Sequence, residues 1–307
     1  MSVIDRSVRN NTVRWLLPVD HAHVLEQIWG ARFPGAFHFE WADDVTVPQR
    51  SQRERMARDG LAERGLIVSD DGQAKCEDHV GHFLDVLSGP DVVVESMAWS
   101  GERQVMGHVA CDAARGLSLV RGRRGVAASD SAGSDSVWGD EDGVELSFMR
   151  RGVVLGEPLR LLDMARDVSH EDVAAAGEPV VMGLAESVGV VNAFRAGSTP
   201  ANAYTTLDIV GLKHRIEPFL GLAQNIMAGF QVRVSQGLRL SQGMYVRTPS
   251  GWVSIAMGAE PVLEEKDSMS AEDLLKTAQV RLAPTTVGQI MADYLACVSD
   301  LLDDDGE

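Results

Sequence analysis

Cysteine is scarce in this chain: it occurs three times in 307 residues, with no CxxC pair. A structural zinc site needs four ligands at workable spacing. The three candidate ligands Cys76, His79 and His82 lie close together. On a helix, Cys76 falls on the apolar stripe, His79 on its flank and His82 on the far side. We therefore expect no metal site: Cys76 is interpreted as a small buried residue and the histidines as solvent- or partner-facing.

Long apolar runs are also missing. The start, MSVIDRSVRNNTVRW, has no apolar core of signal-peptide length, and no stretch reaches the roughly 18 residues of a membrane span. The odd cysteine count without paired spacing agrees with a reducing compartment. We therefore expect a cytosolic protein without membrane insertion. The 45% hydrophobic residues allow a sizeable core, in one large domain or two small ones.

Positive charge is in short supply, because the formal net charge is −17. Nucleic acids and anionic membranes would be repelled on average, so neither is expected as a partner. Two basic runs, Arg121–Arg124 and Arg150–Arg151, stand beside predicted strand ends. They are interpreted as ordinary surface, with phosphate binding as the alternative.

Catalytic signatures are absent as well. The chain has no GxxxxGK[ST], G-x-S-x-G, S-x-x-K or H-E-x-x-H motif. In the acidic loop, an EF-hand alignment with Gly143 at position 6 accommodates Asp140 and Asp142 but puts Trp138 at position 1 and Met149 at position 12. The loop is therefore interpreted as solvated, and no calcium ion or cofactor is expected.

Acidic residues are abundant, 45 in all, but no pair forms a recognisable catalytic constellation. His108 lies in a predicted strand and is interpreted as structural. Neither the acidic residues nor the histidines identify a catalytic centre.

Periodicity and turn residues predict the elements of the first half. A helix starts near Pro18 and Asp20, a second runs from Pro48 to Arg64 and ends at Gly65, and a third spans about Lys75 to Leu87. Short β-branched runs then follow from Asp91. Because these strands are too close together for parallel crossovers, they predict an antiparallel meander.

The second half repeats this order. A helix is predicted from Pro179 with Val180, Leu184 and Val188 on one side, followed by the strands FQVRVSQGLRL, MYVRTPSGWVSIAM and TAQVRLAP. The last helix starts at Thr285 or Thr286. Segregated blocks of helices and strands predict the α+β class. We expect a flexible tail over 1–11, one domain over 12–302 with approximate halves 12–162 and 163–302, and an acidic tail over 303–307.

Four short stretches are distributed over most of the chain: LAERGLIVSDDG, LDVLSGPDVVVE, MRRGVVLGEPLRL and QVRLAPTTVGQIMADYLACVSDLL. Their informative positions are Leu61, Arg64, Gly65, Leu66, Leu84, Leu87, Pro90, Arg151, Gly152, Ala283, Pro284 and Thr285. At these positions the chain resembles the EspG family, the cytosolic chaperones of type VII (ESX) secretion. The chain departs from the family's pattern in the length and acidity of the loop 124–144.

The resemblance implies a single α+β domain with a central antiparallel sheet, flanked by two helical bundles in pseudo-two-fold halves. It also implies a non-enzymatic function. The protein would bind the helical tip of a PPE protein within a PE–PPE heterodimer, keep it soluble and present it to the secretion machinery. Unbound, it would be a monomer or a homodimer.

The partner-binding surface is a hypothesis drawn from the family's use of its sheet and C-terminal bundle. Its candidate residues are large apolar or aromatic groups in the second block of strands: Leu238, Leu240, Met244, Tyr245 and Trp252. The alternative for each is the core face of the sheet, since alternation points about half of a strand's side chains inward.

Two other functions remain open at this stage. One is an enzyme or small-ligand-binding protein of α+β class without a local motif, which would show a deep pocket with perturbed titratable groups. The other is a structural adaptor unrelated to secretion.

Overall fold

A computed structural model describes residues 12–41, 44–70, 73–101, 103–124, 143–164, 174–175, 177–184, 187, 226–259 and 278–302. The two predicted tails lie outside these ranges, as does nearly all of the acidic loop. The chain divides into two compact units. Unit 1 comprises Met1–Ala165, Val232–Gln242 and Cys297–Glu307, and unit 2 comprises Arg166–Gln231 and Gly243–Ala296.

The elements alternate between helical and strand-rich blocks. The helices are α1 (Val19–Trp29), α2 (Val47–Glu63), α3 (Asp78–Leu84), α4 (Arg151–Val154), α5 (Glu157–Met164) and α6 (Val287–Leu302). The strands of the first half are β1 (Val13–Pro18), β2 (Ile67–Asp70), β3 (Gln73–Cys76), β4 (Val92–Ser100), β5 (Arg103–Cys111), β6 (Arg115–Arg124) and β7 (Gly143–Arg150). Those of the second half are β8 (Val180–Gly183), β9 (Ala228–Gln236), β10 (Arg239–Thr248), β11 (Gly251–Ala259) and β12 (Ala278–Thr285).

The described strands form a ten-stranded sheet and a separate β2–β3 hairpin. The order in the large sheet is β1-β7-β6-β5-β4-β9-β10-β11-β12-β8. Within unit 1, β1/β7, β6/β7, β5/β6 and β4/β5 pair antiparallel, and within unit 2 so do β10/β11, β11/β12 and β12/β8. The predicted fold class, α+β with a central antiparallel sheet, is confirmed.

Local sequence explains the ends of α2. Thr46 and Gln49 form a capping box, and proline occupies the first turn, where its missing N–H costs nothing. After the last turn, Gly65 adopts φ 68°, a left-handed conformation that glycine accepts without strain. The predicted second helix and its glycine stop are therefore confirmed.

The core of unit 1 lies between one face of β6 and β7 and the helices α1 and α3. It includes Leu17, Val24, Leu25, Val80, Leu84, Leu117, Leu119, Leu146 and Phe148. Phe83 stacks on Phe148 with ring centroids 4.7 Å apart. On the opposite face, α5 packs on β4 and β5, and Gly107 leaves room for Leu161.

Four features differ from the sequence-based expectations. Val13–Pro18 is a strand that periodicity did not reveal. Helix α3 begins at Asp78 rather than near Lys75, because Gln73–Cys76 pairs with β2. The helix predicted from Pro179 is wrong over Val180–Gly183, which pairs with β12 as strand β8.

The fourth difference concerns Arg121, which lies inside β6 and is buried rather than an ordinary surface residue. Its guanidinium donates to the carbonyl of Ala36 at 2.9 Å and lies 4.2 Å from the centre of the Phe39 ring. The chain between α1 and α2 covers Arg121, so the first residue of this basic run lies inside the fold.

Candidate protein-binding surfaces

The suspected metal ligands do not converge. Cys76 is half-buried at the end of β3, the His79 ring contacts the carboxylate of Glu77, and His82 is exposed on α3. Burial raises the pKa of the Cys76 thiol to about 11. Among the described residues, no group of three or more His, Cys, Asp or Glu side chains is arranged to hold a metal ion.

One face of β4 in unit 1 is incompletely covered. Strand alternation puts Glu95, Met97 and Trp99 on the same side, and the antiparallel register places Gln104 of β5 opposite Trp99. Met97, Trp99 and Gln104 are half-buried, and Glu95 is exposed. The Gln104 amide lies 2.6 Å from the Met97 sulfur. We call this the open face.

Strand β9 continues the open face on the other side of β4. Arg233 of β9 reaches Glu95, with its Nη1 3.7 Å from Oε2. Both side chains are about half-exposed, so the pair contributes little to folding and leaves its charges available to a partner.

The hairpin of β9 and β10 carries apolar groups into solvent. Its two-residue loop is Gly237–Leu238, and Gly237 adopts φ 54°, as such loops require. Gln236 and Arg239 flank this loop, which places Leu240 opposite Ser235. Leu238 is fully exposed and Leu240 is 54% exposed. We call residues 236–240 the hairpin tip.

Hairpin geometry also relates the tip to the open face. Residues opposite each other in an antiparallel pair share a face. The register set by the loop places Gln242 opposite Arg233 and Leu240 opposite Ser235. Because side chains alternate along a strand, these four residues all lie on the same face of the β9–β10 hairpin. Apolar and amide side chains therefore continue from the open face onto the hairpin.

The other candidate residues on β10 and β11 lie in unit 2. Met244 is half-buried, Tyr245 is 5% exposed and Trp252 is 2% exposed. Tyr245 stacks on Phe230 with centroids 6.3 Å apart, and the Trp252 carbonyl accepts a hydrogen bond from the Ala175 amide at 3.1 Å. Both aromatic rings are thus part of the interior, whereas the two leucines are exposed. The role of the five residues in partner binding stays a prediction.

A second apolar surface lies on α6, in the part of this helix up to Ala296 that belongs to unit 2. Its residues are spaced i, i+3, i+4, i+7 and i+8 and are all exposed: Gly288, Met291, Ala292, Leu295 and Ala296. The opposite side of the helix contains the fully buried Ile290 and Tyr294. We call the exposed side the outer face of α6.

Sequence reasoning missed both the open face and the outer face of α6. Strand alternation along VVVESMAW places Glu95, Met97 and Trp99 on one side of the strand. The charge of Glu95 within this apolar stretch was the signal that this side reaches solvent. On α6, Leu295 is as apolar as Ile290 and Tyr294 but lies on the other side of the helix, and composition does not distinguish the two sides. In the described ranges, no helix is long and apolar enough to cross a membrane.

Comparison with known proteins supports the fold. The chain is similar to the type VII secretion system chaperone EspG5 of Mycobacterium tuberculosis, whose structure was solved in complex with a PE25-PPE41 dimer. The TM-score is 0.58 at 12% identity, covering 94% of this chain and 96% of that chain. No family model and no curated protein matches the sequence. The chain therefore has the EspG fold, which confirms the resemblance at the level of the fold.

Proposed function

We propose that this protein is a cytoplasmic type VII secretion chaperone. It binds the helical tip of a PPE protein in a PE–PPE heterodimer, keeps that tip soluble and delivers the pair to the secretion machinery. The observation that carries this proposal is the likeness to EspG5 over 94% of the chain. The open face and the hairpin tip supply a suitable surface.

The chemistry of this surface fits a helical partner. Met97, Trp99 and Leu240 offer apolar area, and a methionine side chain adapts to irregular shapes. Gln104 and Gln242 provide amide donors and acceptors beside them, as in the polar rim of an interface. A secreted helical tip exposes apolar side chains that would self-associate in water, and covering them on such a surface keeps the client soluble.

The enzyme alternative gains no support from the described residues. The groups with the largest pKa changes are Cys76, Cys111 and His108, and burial in the fold is the main cause for each. A catalytic centre would instead combine burial with a specific charged partner in a cleft.

Co-expression with each PE–PPE pair of the same genome tests the proposal. Affinity capture followed by size-exclusion chromatography with light scattering should yield a complex of one chaperone with one pair. The double variant Leu238→Glu/Leu240→Glu should weaken this complex by at least about tenfold, because it puts charge into the apolar contact. Met56→Glu, on an exposed position of α2, is the matched control and should bind like the unmodified protein.

Failure of every pair to bind, while established chaperone complexes form under the same conditions, would refute the chaperone function. Binding that is unchanged in the double leucine variant would leave the function standing but move the contact away from the hairpin tip.

A further inference from the structure

Helix α6 is apolar on both sides. Its inner side contains the buried Val287, Ile290, Tyr294 and Val298, and its outer face contains Met291 and Leu295. A helix that is hydrophobic all round is normally buried all round. Met291 is 38% and Leu295 is 52% exposed, so the part of the chain that the structure describes leaves these two apolar side chains only partly covered.

The outer face is shaped for close approach. Gly288, Ala292 and Ala296 have little or no side chain, whereas Met291 and Leu295 rise above them. Side chains of a second helix fit into grooves between such ridges. A helix is thus the element that fills this surface best.

Charge identifies the character of that second helix. One border of the outer face is acidic: Asp293 is joined to Gln289 by a 2.7 Å hydrogen bond, and Asp300 follows on the same side two turns later. The helix contains no lysine or arginine. In an antiparallel pair with a second copy of this chain, the two acidic borders would face each other, and in either orientation the formal net charge of −17 adds repulsion.

We propose that the outer face of α6 docks a single amphipathic helix of a partner protein, with an apolar seam bordered by lysine or arginine. This docking goes beyond the proposed client binding and does not depend on it. The apolar seam covers Met291 and Leu295, and the basic border meets Asp293 and Asp300. Complementary charges of this kind mainly set the orientation and choice of partner.

The test uses the full-length protein and a fluorescein-labelled synthetic helix of about 18 residues, or five turns. The helix has a leucine–alanine seam bordered by lysines. A second peptide has glutamates in place of the lysines. Fluorescence anisotropy at about 0.15 M salt limits non-specific attraction. The lysine peptide should bind, and Leu295→Glu should weaken it at least about tenfold.

Leu295→Glu separates specific docking from general attraction to an acidic protein. The substitution adds a negative charge to the protein. Non-specific electrostatic binding of the lysine peptide would therefore become stronger, whereas binding through the apolar contact at Leu295 would become weaker. Leu295→Met should keep the affinity within about twofold, because it conserves volume and polarity. Met56→Glu adds the same charge at an exposed position of α2 and should leave peptide binding unchanged.

A charge reversal tests the border. Asp293→Lys should weaken binding of the lysine peptide and improve binding of the glutamate peptide. If the unmodified protein and Asp293→Lys each bound the lysine peptide and the glutamate peptide equally well, the proposed role of the acidic border would be overturned. No binding of the lysine peptide, or equal binding by Leu295→Glu and the unmodified protein, would overturn the docking. Failure of Leu295→Glu to fold would overturn it too, since a free surface tolerates glutamate.

Discussion

Arg14 on β1 and Glu157 on α5 form a two-bond ion pair. Nη2 donates to Oε1 at 2.6 Å and Nη1 to Oε2 at 2.9 Å. The hydrogen bonding of Arg14 to the Glu157 carboxylate is the main reason that the pKa of Arg14 is raised. Glu145 on β7 and Arg160 on α5 complete the network. The network connects the edge strand of unit 1 with the helix on its sheet.

Removal of Glu157 should therefore destabilise the fold. Its side chain is 7% exposed, so Glu157→Ala removes the main partner of Arg14 and one partner of Arg160 from a largely buried position. We expect the free energy of unfolding to fall by about 3 kcal/mol, measured by urea denaturation. Glu95→Ala removes the exposed partner of Arg233 and should cost less than about 1 kcal/mol. Equal losses would show that the Arg14–Glu157 pair is no stronger than a surface pair.

The contact between β6 and α4 should not tolerate an added methyl group. A Cβ on Gly116 would lie 2.1 Å from Cγ1 of Val154. Gly116→Ala should lower the free energy of unfolding by about 1 to 3 kcal/mol through overpacking. The double variant Gly116→Ala/Val154→Ala should recover part of that loss, because the clashing atoms are gone. An additive loss in the double variant would contradict this reason.

Burial separates the candidate residues of the second strand block by their effect on stability. Trp252→Ala should lower the free energy of unfolding by about 3 to 5 kcal/mol, since it removes a buried aromatic ring. Leu238→Ser should change it by less than about 0.5 kcal/mol, because the residue is fully exposed. Thermal unfolding followed by circular dichroism distinguishes the two. A stable Trp252→Ala protein would contradict the buried position.

Acid should destabilise the protein through His108. Burial lowers the pKa of this imidazole to about 4, whereas the unfolded chain titrates near about 6.5. Below about pH 6.5 the unfolded state takes up the proton first, so stability falls as the pH drops toward 4 and is unaffected above 6.5. The loss attributable to this group approaches about 3 kcal/mol at pH 4.

His108→Gln should flatten the dependence of the free energy of unfolding on pH between about 6.5 and 4.5. His82→Gln, at an exposed position, is the matched control and should keep the unmodified slope. Identical slopes for His108→Gln and the unmodified protein would mean that His108 is protonated without cost in the folded state.

Much of the fold follows from local chemistry. The capping pair Thr46 and Gln49 with Gly65 defined α2, and β-branched alternation indicated the strands of both blocks. Strand β1 was not predictable, because WLLP lacks alternation and is held by pairing with β7. Strand β8 was not predictable either, because Val180 and Leu184 also fit helical spacing and only the pairing with β12 selects the extended form.

The candidate surfaces show the same division. The sequence by itself determined which residues are apolar, that β10 and α6 form, and that Glu95, Met97 and Trp99 share one side of their strand. Only the tertiary structure decided that Leu238 and Leu295 face solvent while Trp252 and Arg121 lie inside. The physical reason is that burial depends on which neighbouring element covers each face, and that neighbour is far away along the chain.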